Sequence, residues 1–255
     1  MFKFPVGEMQ VNVEYERPYD SAVHAVNVTF TFTKNEDIIE LMLFVDACKR
    51  QGMVLGTLTM PYVPFSRQDR KNAIGESFSL AVFCNLINSL NFFQVVVHDP
   101  HSDVTPALLN NCFVREQHTM LKPILDKNLG AQPFYLVSPD AGALKKIYKL
   151  AKMFDNNRMI GVIECGKKRD TSTGDITGTV IYRTQPLVPQ VPCVMIDDIC
   201  DGGRTFVELG KALKAKGAER VHLYVTHGFF TKGLDVFNGI VDVVDAAHFY
   251  PSFKS

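Results

Sequence analysis

From Val26 to Phe32 apolar and polar positions alternate (Val26, Val28, Phe30, Phe32), which predicts a half-buried strand. Thr33-Lys34-Asn35-Glu36 resembles a capping box, and Ile38, Ile39, Leu41, Met42, Val45 and Cys48 then recur at helical spacing. Residues 53–60 form an apolar run expected to be a buried strand, and 77–90 a helix. Residues 93–97 read as a further strand. The alternation then resumes, with strands expected over 134–137, 159–163, 177–183, 191–196, 221–226 and 240–244. Helices are expected over 143–154, 204–215 and, briefly, 232–238. Strands alternating with helices, apolar enough to be covered on both faces, predict an α/β chain with mainly parallel, doubly wound sheets. The two halves read as two copies of one α/β unit. In such sheets ligands bind where strands end and loops begin. Polar loops are expected there at 67–71, 98–103, 138–142 and 197–205, with a mobile-looking fifth at 166–175.

Composition narrows the possibilities. The 255 residues suffice for one large domain or two smaller ones. Lys plus Arg (27) balance Asp plus Glu (27), so no global field favours nucleic acid or an anionic membrane as a partner. No apolar run is long enough for a membrane span, and the opening Met1-Phe2-Lys3-Phe4-Pro5 lacks the apolar stretch of a signal peptide. Six scattered cysteines without a Cys-x-x-Cys pair read as reduced, mostly buried thiols, and the expected location is cytoplasmic.

The segment Val194-Met195-Ile196-Asp197-Asp198-Ile199-Cys200-Asp201-Gly202-Gly203-Arg204-Thr205 carries the most chemistry. A buried strand delivers two adjacent carboxylates to its end, and a glycine turn opens a helix. Glycines let backbone N–H groups approach an anion closely, and the helix N-terminus favours negative charge. Paired acids beside such a cradle suit a ligand with both hydroxyls and a phosphate. An EF-hand is excluded because the acids lack its alternate spacing, and a plain acidic turn with a glycine cap is the bland alternative.

This segment resembles the phosphoribosyl-diphosphate loop shared by type I phosphoribosyltransferases and ribose-phosphate diphosphokinases. Other loops favour the second group. Pro61-Tyr62 through Ser66-Arg67-Gln68-Asp69-Arg70-Lys71 resembles its PYxxYxRQDRK signature. Asp99-Pro100-His101-Ser102 is similar to its DLHA/S motif, residues 137–142 to VSPDAG, residues 167–169 to its K-x-R, residues 226–230 to THGxF, and residues 4–11 to FxDGExxV. The resemblance runs in order along nearly the whole chain.

The resemblance implies two type I phosphoribosyltransferase-like domains. An ATP-side domain is expected at 1–116 plus about 240–255, and a sugar-phosphate-side domain at 117–239. It implies magnesium-dependent transfer of the β,γ-diphosphate of ATP to the anomeric hydroxyl of ribose 5-phosphate, with AMP as the other product. By resemblance, Lys167, Arg169 and His101 would be catalytic, and Phe4, Glu8, Arg67, Gln68, Asp69 and His101 would bind ATP. His101 and Asp140 would sit at the metal. Asp197, Asp198, Asp201, Gly202, Gly203, Arg204 and Thr205 would bind the ribose phosphate. Phe4 and Glu8 would be donated by a neighbouring copy, implying a homodimer or hexamer with shared sites; plain core packing is the alternative for Phe4. For Asp140 the alternative is a helix N-cap, and for the loop cations an ordinary solvated loop. His24, His118, His222, His227 and His248 are expected to be structural.

The sequence also departs from the pattern. About thirty residues that precede the first motif in the family have no counterpart here, which bears on the oligomer surface. Val6 replaces the motif's acid. The stretch after Arg70, Lys71-Asn72-Ala73-Ile74-Gly75-Glu76, lacks the basic residues that the family uses there, which bears on phosphate and ADP regulation. Gly202 stands where the phosphate loop usually has a threonine, forfeiting a charged hydrogen bond worth about 1.5–3 kcal/mol. That opening motivates a second acceptor, ADP-ribose, in the same chemistry, as in relatives that serve NAD synthesis. A type I phosphoribosyltransferase would use the 197–205 loop without needing Arg67, Gln68, Lys167 or Arg169. A catalytically dead homologue would have lost those cations.

Overall fold

The structure is a computed structural model that describes residues 2–6, 8–14, 25–154, 158–169, 176–182 and 186–250. The chain forms two compact units, residues 1–115 and 116–255.

The first unit opens with a short antiparallel pair, β1 (Phe2–Lys3) and β2 (Met9–Gln10). It continues through β3 (Ala25–Thr29), α1 (Glu36–Arg50), β4 (Val54–Met60), α2 (Ser79–Ser89), β5 (Gln94–His98), α3 (Val104–Leu108) and β6 (Cys112–Arg115). Strands β3-β4-β5-β6 pair in that order, all parallel. Leu41, Val45 and Cys48 of α1 and Leu80, Phe83, Cys84 and Ile87 of α2 pack with Leu58, Met60, Val95 and Val97 into one core. The capping expectation holds in kind but not in partner. Asp37, not Glu36, reaches back, its carboxylate accepting from the Thr33 N–H (2.6 Å), the Thr33 hydroxyl (2.7 Å) and the Lys34 N–H (2.9 Å). Helix α1 begins at residue 36, so position 37 is the one whose side chain falls over the exposed amides. Phe4 is not core: it is 44% exposed on the turn between β1 and β2, where its N–H donates to the Glu8 carbonyl (2.8 Å).

The second unit runs α4 (Gln117–Leu129), β7 (Phe134–Ser138), α5 (Leu144–Ala151), β8 (Met159–Arg169), β9 (Ile176–Ile181), β10 (Cys193–Cys200), α6 (Arg204–Ala215), β11 (Val221–Gly228), a 3-10 turn (Asp235–Phe237) and β12 (Val243–Phe249). The strand order is β12-β11-β10-β7-β8-β9. All neighbours are parallel except β8 and β9, which form an antiparallel pair at the edge. The stretch 166–175, expected to be a loop, is therefore strand as far as Arg169, and 170–175 lies outside the described residues. The expectation that about 240–255 returns to the first domain is overturned. Val243–Phe249 pairs with β11, in register from His222–Val243 to Gly228–Phe249. The short 3-10 connection returns the chain to the strand it has just left, so the new strand extends the same sheet.

Period-two alternation sets up two cores. Tyr135, Val137, Cys193, Met195, Leu223 and Val225 face α6, with Phe206, Leu209 and Leu213. Their sequence neighbours Phe134, Leu136, Val194, Ile196 and Tyr224 face α4 and α5, with Leu121, Leu125, Ile147 and Leu150. This is the double burial that the apolar strands predicted. Helix α4 went unread in the sequence, where Pro123 interrupts it.

The connection from β10 to α6 is tightly specified. Gly203 has φ +79°, and a Cβ there would lie 2.6 Å from Cζ of Phe237, which is buried. The carbonyl of Gly203 accepts from the amides of Phe206 and Val207 (both 3.0 Å), starting the helix. Gly203→Ala combines a left-handed backbone with overpacking and should destabilise the second unit by about 2–4 kcal/mol, read as a lower urea midpoint. A midpoint equal to that of the native chain would show that the turn relaxes freely.

His222, the second residue of β11, is 1% exposed, and neither ring nitrogen has a hydrogen-bond partner among the described residues. Burial, helped by the positive charge of Arg220 and opposed by Asp242, lowers its pKa to about 4. The unfolded chain therefore binds a proton between pH 6.5 and 4 that the folded chain refuses. Stability present above pH 6.5 should fall as the pH drops, by about 3 kcal/mol when pH 4 is reached. A melting series from pH 7 to pH 4.5 on the native chain and on His222→Leu should show a shallower decline in the variant. Parallel curves would remove His222 as the cause.

Candidate functional site

In the first unit the candidate residues sit on two neighbouring strand ends. Met60 and Val97 pair across β4 and β5, so the loops leaving these strands emerge side by side. The loop after β4 turns through Phe65, which has φ +62°, and then alternates inward and outward. Ser66 and Asp69 are buried, while Arg67, Gln68 and Arg70 are exposed. The Asp69 carboxylate accepts from Arg70 Nε (2.8 Å) and Nη2 (3.2 Å). The Arg70 hydrogen bond holds its pKa below the usual carboxylate range, against desolvation. The Ser102 hydroxyl and the charges of Arg70 and His101 act in the same direction. Asp69 is thus a brace between the two loops. It is turned inward, and it fixes the segments that present Arg67, Gln68 and His101. Asp99, at the head of the second loop, is 3% exposed with φ +41°, and its N–H donates to the Arg115 carbonyl at the end of β6 (2.9 Å). A left-handed non-glycine residue held between two strand ends is a backbone strain, and it lifts His101 onto the exposed surface.

In the second unit the site lies at the ends of β7 and β10, also neighbours. Asp140 follows β7. Its carboxylate accepts from the amides of Gly142 (3.0 Å) and Ala143 (3.4 Å), ahead of α5. The N-cap of α5 is Ala143, without a side-chain capping bond, so the Asp140 carboxylate closes the turn ahead of the helix and does not cap it. Asp197 and Asp198 lie near the end of β10, where Asp198 is buried and its N–H donates to Asp197 Oδ1 (2.9 Å). Burial, the Asp198 charge and, further off, Asp140 push the Asp197 pKa well above the usual carboxylate range. Asp198 has the parity of Val194 and Ile196, the strand residues that face α5. Lys146 of α5 lies 4.0 Å from its Oδ2. Beyond the acids, Asp201 accepts from the Thr231 hydroxyl through Oδ1 (2.8 Å) and from the Thr231 N–H through its carbonyl (3.1 Å). Gly202 and the left-handed Gly203 then lead to Arg204 and Thr205, both exposed on the first turn of α6. The positive end of that helix and its unpaired amides face the same turn.

The structure thus brings together Arg67, Gln68, Asp69 and His101 in one unit, and Asp140, Asp197, Asp198 and the 201–205 turn in the other. Phe4 and Glu8 lie on the opening hairpin, both exposed. Lys167 and Arg169 lie in β8, opposite Thr179 and Ile176 of β9, with a register break between Lys168 and Arg169; their side chains lie outside the described ones. Among the described residues no group of three or more His, Cys, Asp or Glu side chains is arranged to hold a metal ion. Sequence reasoning missed Lys146 and the Thr231–Asp201 clamp. Both are pairings between segments far apart in the chain. The only local hint was Lys145-Lys146 just beyond the Asp140 turn.

Residues 1–90 match the N-terminal domain of ribose phosphate pyrophosphokinase, and residues 110–245 match the phosphoribosyl transferase domain. Ribose-phosphate pyrophosphokinase of Mycoplasmopsis pulmonis is 28% identical over 213 residues, 83% of this chain. The chain spans 63% of that protein's length. The enzyme of the same name from Bradyrhizobium diazoefficiens is 27% identical over 232 residues, covering 89% of this chain and 69% of that one. The crystal structure of phosphoribosylpyrophosphate synthetase from Mycobacterium smegmatis superposes with a TM-score of 0.72 at 19% identity, over 96% of this chain and 84% of that one, so the fold is shared. The second match covers more than half of the chain and shows a phosphoribosyl transferase domain; with the N-terminal pyrophosphokinase domain matched ahead of it, the chain belongs to the ribose-phosphate pyrophosphokinase family.

Proposed function

We propose that this chain transfers the β,γ-diphosphate of ATP to the anomeric hydroxyl of ribose 5-phosphate, releasing AMP. One observation carries the reading: a phosphoribosyl transferase domain with an acid pair and a glycine turn follows, in the same chain, the N-terminal domain of a ribose phosphate pyrophosphokinase. A phosphoribosyltransferase acting alone would have no use for the first domain. Positioning and charge dominate such a reaction, because several phosphate charges must be held in line with one attacking oxygen.

The residues divide the work by charge. Arg67 and Gln68 are exposed donors suited to ATP, and Asp69 holds their loop against the one that carries His101. In this role His101 touches phosphate. Imidazole suits softer metals better than magnesium, which prefers oxygen. Asp197 and Asp198 accept from ribose hydroxyls, and Gly202, Gly203, Arg204 and Thr205 offer backbone and side-chain donors to the 5-phosphate. Asp201 keeps the turn in shape. Lys167 and Arg169 are the cations for the transferring diphosphate. Phe4 and Glu8 are adenine contacts delivered to a neighbouring copy, a role that their exposure on the hairpin supports.

Magnesium fits this donor set. The candidate ligands Asp140, Asp197 and Asp198 are oxygen donors, and the raised proton affinity of Asp197 marks a place short of positive charge. Magnesium is commonly held by one or two carboxylates together with substrate phosphates and water, so no full protein cage is required. When bound, it neutralises charge on the diphosphate oxygens.

Phosphorus NMR of the protein with ATP and magnesium should show AMP formation when ribose 5-phosphate is added. ADP-ribose is the second acceptor to try, because Gly202 leaves the phosphate turn without a side chain. AMP with ADP-ribose alone would reassign the acceptor, and AMP with neither would overturn the reaction. Lys167→Ala should lower turnover by at least about 100-fold while the circular dichroism spectrum and melting point stay as in the native chain. An unaffected rate would remove that lysine from the mechanism.

A further inference from the structure

We infer that Lys232 is a direct contact for the phosphate of the acceptor, supplied to the 201–205 turn from the loop that follows β11. The inference rests on the phosphate-turn reading above and adds to it a residue from a different segment.

Backbone hydrogen bonds dictate the placement. As β11 ends, the N–H groups of Phe229 (2.8 Å) and Phe230 (3.3 Å) both donate to the Cys200 carbonyl, and the Thr231 N–H donates to the Asp201 carbonyl (3.1 Å). The Thr231 hydroxyl adds its bond to Asp201 Oδ1 (2.8 Å). The loop is thereby zipped onto the phosphate turn up to the residue before Lys232. Immediately after it the chain turns away: Gly233 has φ +76°, and its N–H donates to the Phe230 carbonyl (2.7 Å). Lys232 is left in the bend, directly over the turn.

Gly202 is the second half of the argument. A Cβ at this position would lie 3.3 Å from Lys232 Cγ, with Thr231 Oγ1 next at 3.8 Å. The lysine stem therefore crosses the space that a side chain at 202 would claim. Position 202 carries only hydrogen. The bare position coincides with a cation brought in from another loop, and a charged donor serves an anion better than a neutral one. Lys232 is exposed, and among the described residues no carboxylate pairs with it. Its ammonium is a compact charge on a flexible stem, able to meet a phosphate over the amides of α6. A purely solvated lysine would need neither the clamp at Thr231 nor the bare Gly202.

The test is calorimetric titration of the whole chain with ribose 5-phosphate and, separately, with inorganic phosphate. Lys232→Ala should weaken both by about ten-fold or more, with MgATP affinity and melting point unchanged. Lys232→Arg should recover most of the loss. Lys232→Met, which keeps the stem and drops the charge, should behave like the alanine variant. Native binding of both probes with an unchanged Lys232→Ala overturns this inference alone, and full binding by Lys232→Met does the same by reducing the residue to packing. A native chain that binds neither probe overturns the phosphate-turn reading and this inference together.

Discussion

Negative charge brought to the end of a strand buried on both faces is the constraint around which the second unit is organised. Strand β10 is apolar from Cys193 to Ile196 because helices cover both its faces, and then it must release Asp197 and Asp198. Burial and the charge of Asp198 raise the proton affinity of Asp197, and Asp140, just beyond β7, adds to the effect. The surroundings answer with Lys146 from α5, the positive end of α6 and a turn of two glycines. Each answer comes from a different element, so the site needs the whole layer arrangement and not β10 alone. What these groups leave unbalanced is what a cation and a hydroxyl-bearing ligand would complete.

The first unit solves a different problem. Its exposed donors, Arg67 and Gln68, follow directly on the apolar anchors Val63 and Phe65 of the same loop, which pack on the core. Burying Ser66 and Asp69 gives the loop an inside, and the shared carboxylate of Asp69 ties it to the His101 segment. A charge is buried so that others can be held exposed in a defined place. Asp69 keeps its ionised form through Arg70 and Ser102, as a buried carboxylate must.

Much of this was legible in the sequence, and for physical reasons. Period-two and period-3.6 patterns reveal which residues face a core, so most strands of the two larger sheets and helices α1, α2, α5 and α6 were expected, while the short elements α3 and β6 went unread. The acid pair and glycine turn stand next to one another in the chain, so this part of the candidate site was visible as a string. What escaped depends on distance in sequence. Lys146 meets Asp198, and Thr231 meets Asp201, only because sheet order brings their segments together. Helix α4 was hidden by Pro123, and the antiparallel β8–β9 edge by polar residues that read as loop. The last strand was assigned to the wrong unit because resemblance overrode a simple local rule, that a short connection returns to its own sheet.

The alternation in β10 has a consequence for how this protein can change over time. Cys193 and Met195 belong to one core, and Val194 and Ile196 to the other. Inserting or deleting one residue in this strand would exchange the two sets and also move Asp198 away from Lys146, so packing and charge would fail in a single event. Length variation is therefore excluded from the strand and confined to the loops. Lineages descended from this chain should keep the spacing from Cys193 to Asp198 fixed while the connections beyond it lengthen or shorten.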